Sequence, residues 1–276
     1  MHTLKRFIVT VLMLLATAVG AADKVYTFGV VPQQSASELA RSWGPLLNQV
    51  SVISGVKLRF ATAPDIPTFE RRLAEGVYDF AYMNPYHFTV FNKSPGYQAM
   101  AKESGRLLKG IVVAKKYGAV KTLAALNGQS MAFPAPAAFA ATILPRAELR
   151  SEGIKLKANY LSSHDSVYLA VVKGIYPAGG GIQRTLEMID PAIRDQLQVI
   201  WSTKGYTPHA IASHPKVEAQ VTQSVLNALL ALNKDPAGKA LFAEVGFNKG
   251  VSVAANQDWD DVRRLRIDLL GELIEK

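Results

Sequence analysis

The stretch APDIPTFERRLAEGVYDFAYMNPY, residues 63–86, sets the pattern on which the rest of the chain is read. Residues 66–75 form an amphipathic helical pattern that Gly76 stops. Residues 78–83 follow as a short apolar run of strand length, broken at Asn84-Pro85-Tyr86. Helix, glycine stop and buried strand make the repeating half-unit of an α/β fold. Upstream, residues 25–31 (VYTFGVV) read as a buried strand, and Ser35-Ala36-Ser37-Glu38 has the S-x-x-E form of a capping box. Leu39, Trp43, Leu46, Leu47 and Val50 then recur at helical spacing, and residues 57–63 read as a second strand.

Downstream, strands are expected at 110–115, 130–133, 156–161 and 199–201, with another candidate at 209–212. Helices are expected at 139–152, ended by Gly153, and at 165–173, ended by Gly174. Three more are expected at 216–232, 236–245 and 257–275, the last carrying Trp259, Val262, Leu265, Leu269 and Leu273 on one stripe. Gly179-Gly180-Gly181 reads as a flexible turn and lacks the form of a dinucleotide fingerprint. Strand–helix alternation predicts an α/β protein with largely parallel sheets. The helical stretch after residue 215 does not suit one doubly wound sheet, and eight even βα units are absent. Two α/β lobes packed face to face fit better.

The chain has 276 residues, 49% of them apolar and 19% charged, and contains no cysteine. That composition excludes a disordered chain, a collagen and a disulfide scaffold, and it excludes cysteine catalysis and Cys-ligated metal. The net charge of +9 is spread out, with basic pairs at Arg71-Arg72, Lys115-Lys116 and Arg263-Arg264 rather than a stripe, so nucleic acid is not an expected partner. Residues 1–22 begin with Lys5-Arg6, continue as an apolar run from Phe7 to Val19 and end in Gly20-Ala21-Ala22. This is the form of a cleavable signal peptide, and it predicts a periplasmic protein. Removal of Lys5 and Arg6 with that segment would lower the charge from +9 to +7. No G-x-S-x-G elbow, phosphate-binding G-x-x-x-x-G-K-[ST] loop or H-E-x-x-H helix is present, so the reading is of a non-enzyme with no cofactor. Asp258, Asp260 and Asp261 read as acidic side chains favoured at a helix start.

Five segments in order carry a resemblance. They are FGVVPQQSASELARSWGPL (28–46), the opening stretch (63–86), LNGQSMAFPAPAAFAATILPRAEL (126–149), SSHDSVYLAVVKG (162–174) and GYTPHAIASHP (205–215). Together they resemble the phosphate/phosphite/phosphonate substrate-binding proteins of ABC transporters, across almost all of the chain after the signal segment. The resemblance implies the type II periplasmic binding fold, with two lobes, each a mixed sheet flanked by helices, and a ligand cleft between them. It places residues 23–110 and 206–276 in lobe one and 111–205 in lobe two. It implies a monomeric receptor that closes on a small anionic solute, a phosphonate-like oxyanion or small organic acid, and passes it to an inner-membrane permease. The same cleft would equally serve a periplasmic sensing module that reports to a membrane receptor kinase.

Tyr82, Asn84 and Tyr86 lie just past a strand end, where α/β crevices open, and are read as lining the cleft; the resemblance adds Ala138, Phe139 and Ala140 at a helix start, Ser163 and His164 at another, and Tyr206 and His209 where the chain re-enters lobe one. Asp165 is read as a helix cap or a partner for His164, His87 as a helix-face residue, Ser35 as an N-cap, and Gln33 or Gln34 as reaching the cleft. One segment departs from the family. Where phosphonate binders carry D-P-x-S-T-S-G, this chain has Ala135-Pro136-Ala137-Ala138-Phe139-Ala140-Ala141, and two family tyrosines align with Ile66 and Met83. Backbone N–H groups at that helix start remain available to an anion. Each lost side-chain donor to a charged oxygen costs about 1.5–3 kcal/mol. The lining therefore predicts a more apolar or aromatic ligand with an acid group.

Overall fold

A computed structural model describes residues 24–273 of the chain; the signal segment expected at 1–22 lies outside the described residues. The chain opens as β1 (Val25–Val30), α1 (Ala36–Ser54), β2 (Lys57–Ala61), α2 (Ile66–Ala74) and β3 (Phe80–Met83). β1 pairs in parallel with both β2 and β3, the arrangement that two helical crossovers produce. Local chemistry fixes the helix starts: the Ser35 side chain accepts from Glu38 N, Asp65 from Thr68 N and Asn84 from His87 N. α1 buries the stripe read from the sequence, with Trp43 packed on Phe28 at 5.8 Å between ring centres, and ends at Gly55 in the left-handed region.

α3 (Pro85–Phe91) and β4 (Gln98–Glu103) follow, and the chain then enters a second sheet. That sheet is built from β5 (Gly110–Lys115), β6 (Ser130–Phe133), β7 (Lys157–Tyr160), β8 (Ala178–Ile182) and β9 (Leu197–Ser202) in the order β7-β6-β8-β5-β9. A π-helical turn at Phe139–Ile143 runs into α4 (Leu144–Ser151); α5 (His164–Val172) precedes β8, and α6 (Gln183–Met188) and α7 (Pro191–Arg194) follow it. The chain returns through β10 (Ala210–Ser213), α8 (Ala219–Leu232), α9 (Pro236–Glu244), β11 (Val251–Val253) and α10 (Asp260–Arg263). The first sheet thereby becomes six-stranded, β11-β4-β10-β3-β1-β2. The two connections between sheets run side by side, with Leu108 N donating to Tyr206 O at 2.8 Å and Tyr206 N to Leu108 O at 3.0 Å.

Three expectations are corrected. The sheets are mixed, as the family resemblance implies, and not largely parallel as strand–helix alternation predicts: β10 pairs antiparallel with β3 and β4, and β5 antiparallel with β8 and β9. β10 starts beside Met83, at the end of β3, because its chain arrives from the other sheet across the connection. Gly179-Gly180-Gly181 is no turn but the middle of β8, buried between β5 and β6. The helix expected at 257–275 is broken. A 3₁₀ turn at Asn256–Trp259 leads into the short α10, Arg266 takes φ +51°, and a second 3₁₀ turn occupies Gly271–Leu273. Trp259 and Val262 are buried, whereas Leu265 and Leu269 are 38% and 56% exposed, so the apolar stripe does not continue. β4 and β11 carry no clear alternation and have no counterpart in the sequence reading.

Candidate functional site

Ends of elements from both sheets converge on one narrow chamber. The chain just past β1 contributes Val31 and Gln33, the N-cap of α3 contributes Asn84, and the residue before β10 contributes His209. From the other side come the π-helical turn with its approach, residues 138–141, and the first residue of α5, His164. The chamber holds about 10 Å³, the room of a single water. Two hydrogen bonds cross it directly: His164 N donates to Gln33 O at 2.9 Å and Asn84 Nδ2 to Ala137 O at 3.3 Å. Neither an acid nor an ammonium lines it.

The π-helical turn lies against the second sheet because β5 and β8 present glycine there. A Cβ on Gly110 would overlap the Ala140 carbonyl oxygen, and one on Gly180 would overlap the Ala141 carbonyl oxygen. Those carbonyls point into the sheet. Amides point opposite to carbonyls in a helix, so the first N–H groups of the turn face its open N-terminal end.

A hydrogen-bonded chain fixes the polar groups. Arg184, in α6, donates through Nη2 to Gln33 Oε1 at 2.8 Å and through Nη1 to Val245 O at 3.2 Å. Because a guanidinium only donates, Gln33 must turn its amide nitrogen to His209, and Gln33 Nε2 donates to His209 Nε2 at 3.0 Å. Neutral His209 therefore carries its proton on Nδ1. Its ring stacks on Tyr82 at 5.0 Å. On the opposite wall His164 Nδ1 bonds to Thr185 Oγ1 at 3.0 Å, and Tyr168 OH bonds to the same oxygen at 2.9 Å.

Both histidines are held neutral. Burial, reinforced by the Arg184 charge, lowers His164 from 6.5 to about 3 and carries His209 well below its ordinary value. Burial also raises the Asp165 carboxyl to about 6. Below pH 6.5 the unfolded chain takes up imidazole protons that the folded chain refuses, so this stability is lost as pH falls from 6.5 toward 3. Asp165 acts in the opposite sense, contributing stability that is lost as pH rises through about 6. Two fully buried imidazoles outweigh one partly exposed carboxyl. The thermal midpoint is therefore expected to be lower at pH 5 than at pH 7, and a flat or rising midpoint would show that these histidines are not held neutral.

Residues 28–259 match the family "ABC transporter, phosphonate, periplasmic substrate-binding protein". The chain belongs to this family. It is 22% identical to the phosphate-import protein PhnD of Mycolicibacterium smegmatis, over 86% of this chain and 83% of that one. Among solved structures it is similar to a binding protein component of an ABC phosphonate transporter from Pseudomonas aeruginosa. That match has a TM-score of 0.81 and 16% identity, and it covers 88% of this chain and 86% of the other. PhnD1 of Prochlorococcus marinus in complex with methylphosphonate gives a TM-score of 0.80 at 16% identity, covering 88% and 97%. The fold is that of type II periplasmic binding proteins, and the family consists of substrate-binding proteins of ABC transporters, not enzymes. Among the described residues no helix is long and apolar enough to cross a membrane.

Within this family fold, the sequence-predicted residues separate into two groups. Asn84, Ala138, Phe139, Ala140, His164 and His209 line the chamber. Tyr82 lies one layer behind, sandwiched between His209 and Trp43. Tyr206 also stands behind the wall, its ring edge-on to Phe139 at 5.3 Å. Ser163 caps α5 by accepting from Ser166 N. Tyr86 points elsewhere, and its hydroxyl accepts from Leu269 N at 2.7 Å and Leu270 N at 3.0 Å. Asp165 lies in a separate surface groove with Ser35 and Glu38, and the His164 ring bonds to Thr185 instead. His87 is fully buried, with Nε2 at 2.8 Å from Glu70 Oε1. Ile66, one of the positions aligned with a family tyrosine, lines the chamber.

Sequence reading missed Arg184 and Thr185. Both follow the glycine strand, which reads as a turn from sequence, so nothing marks them as lying beyond a strand end, where α/β crevices open.

Proposed function

We propose that the protein is the periplasmic receptor of an ABC importer, binding a small phosphonate- or phosphate-type oxyanion and delivering it to an inner-membrane permease. The observation that carries this reading is the convergence of Gln33, Asn84, neutral His164 and His209 and the first amides of the 139–143 turn on one chamber without a carboxylate. Amides at a helix start favour negative charge, and the absence of an acid removes the group that would repel it. On this reading the described residues up to 109 together with those from 206 onward form one lobe, and 110–205, which begin with β5, form the other. The paired strands at Leu108 and Tyr206 act as the hinge. A chamber of about 10 Å³ admits no oxyanion, so the lobes part to load and close around the ligand at a wider angle. With Ala138, Phe139 and Ala140 in place of hydroxyl residues, oxyanion contacts fall to backbone amides and the two imidazoles.

The test is thermal unfolding of the purified protein with phosphate, phosphite, methylphosphonate and a set of aliphatic and aromatic carboxylates. A ligand at 100 times its dissociation constant adds about 2.7 kcal/mol, a rise of several degrees at this size. A rise with at least one phosphorus oxyanion is expected. Stabilisation by carboxylates alone would overturn the ligand class.

A further inference from the structure

Arg184 is the charge that the chamber does not explain. It is 7% exposed, yet among the described residues no carboxylate lies within ion-pair distance of it. Its acceptors are the neutral Gln33 Oε1 and Val245 O, and its guanidinium lies over the rings of Tyr82 at 5.4 Å and Phe247 at 5.7 Å. Nearby Arg106, by contrast, is neutralised by Glu187 at 2.6 Å. All of its hydrogen-bond acceptors are neutral, with the Glu103 carboxylate acting on it only from beyond ion-pair distance, so the guanidinium gains when a carboxylate replaces one of them.

The space for such a group adjoins the chamber. A groove of about 400 Å³ shares Leu108 and His209 with it and is lined further by Glu103, Arg106, Lys109 and Arg184. With Arg106 paired to Glu187, Lys109 and Arg184 are left there against the single acid Glu103, whose carboxyl burial raises while Arg184 and Arg106 pull it down. Arg184 stands in α6 of the second sheet's unit, whereas Gln33, Val245 and His209 belong to the first. On the lobe opening proposed above, parting the two units would free its donors and join groove to chamber.

We propose that Arg184 makes this groove the subsite for the far end of the ligand and selects an acidic end there: a small phosphonate or phosphate ester that bears a second, carboxylate-type group. This rests on the oxyanion reading above. An ammonium at the same end meets a guanidinium and is rejected.

Calorimetric titration with phosphonoacetate, methylphosphonate and 2-aminoethylphosphonate tests it. The wild-type protein is expected to bind phosphonoacetate at least tenfold more tightly than 2-aminoethylphosphonate. Arg184→Met, which keeps the apolar stem against Gly246, should bring that ratio close to one, and Arg184→Glu should invert it. The wild-type comparison requires no variant, so a misfolded variant leaves the proposal open to refutation. Equal or reversed wild-type affinities overturn it, as does an undiminished ratio in Arg184→Met. If methylphosphonate binds without any discrimination between the two tails, the oxyanion reading stands and the Arg184 subsite falls; if none of the three binds, both fall.

Discussion

Gly180→Ala is expected to lower stability by about 2–3 kcal/mol and to weaken oxyanion binding with it. The added methyl would overlap the Ala141 carbonyl oxygen and meet Phe133 Cδ1 at 2.7 Å. Gly180 sits in the centre of β8, paired with Val112 of β5, so the sheet cannot yield locally. The π-helical turn must therefore lift away, and its amides form one wall of the chamber. For a chain of this length the thermal midpoint should fall by roughly 5–10 °C. Gly174→Ala makes an instructive partner: Gly174 has open space around its α-carbon but takes φ +72°, so its penalty is conformational and should leave ligand affinity untouched. A Gly180→Ala variant as stable as wild type would mean that the turn does not rest on the sheet.

His164→Ala is expected to weaken binding of phosphate or methylphosphonate by about 10–100-fold, the equivalent of one hydrogen bond to a charged oxygen at about 1.5–3 kcal/mol. His164 is 2% exposed, lines the chamber and is anchored through Nδ1 to Thr185, which leaves Nε2 as its other ring donor or acceptor. Thr185 and Tyr168 keep each other and the Ile182 carbonyl as partners when the imidazole is gone, so the fold should survive. His164→Gln, which retains a donor on a side chain of similar reach, should recover part of the affinity. Unchanged dissociation constants in His164→Ala would remove the imidazole from the ligand's surroundings.

Much of the local structure was legible because it depends on residues close in sequence. The strands at 110–115 and 130–133 coincide with β5 and β6 to the residue, and Leu39, Trp43, Leu46, Leu47 and Val50 are the buried face of α1. Ser35 caps its helix as its spacing predicts. β8 escaped because its run of glycines has no side chains to alternate; what makes it a strand is its pairing with β5 and β6, and the glycines admit the π-helical turn and α5 against it. The expected terminal helix failed for a distant reason: Tyr86, over 180 positions away, takes the amides of Leu269 and Leu270 with its hydroxyl.

The site divides along the same line. A resemblance spread over ordered segments named the family, and it selected Asn84, His164, His209 and the 138–140 backbone, all of which reach the chamber. Their place just past a strand end selected Tyr82 and Tyr86 as well, but successive strand side chains point to opposite faces, and a helical residue turns about 100° from its neighbour. One tyrosine accordingly backs the His209 ring and the other holds the end of the chain. Fold class, helix starts and family were set by spacings of a few residues and by segment order. The course of strands across two sheets, the tautomer of His209 and the neutral hydrogen-bond acceptors of Arg184 were decided only in three dimensions, because each depends on groups brought together from opposite sides of the cleft.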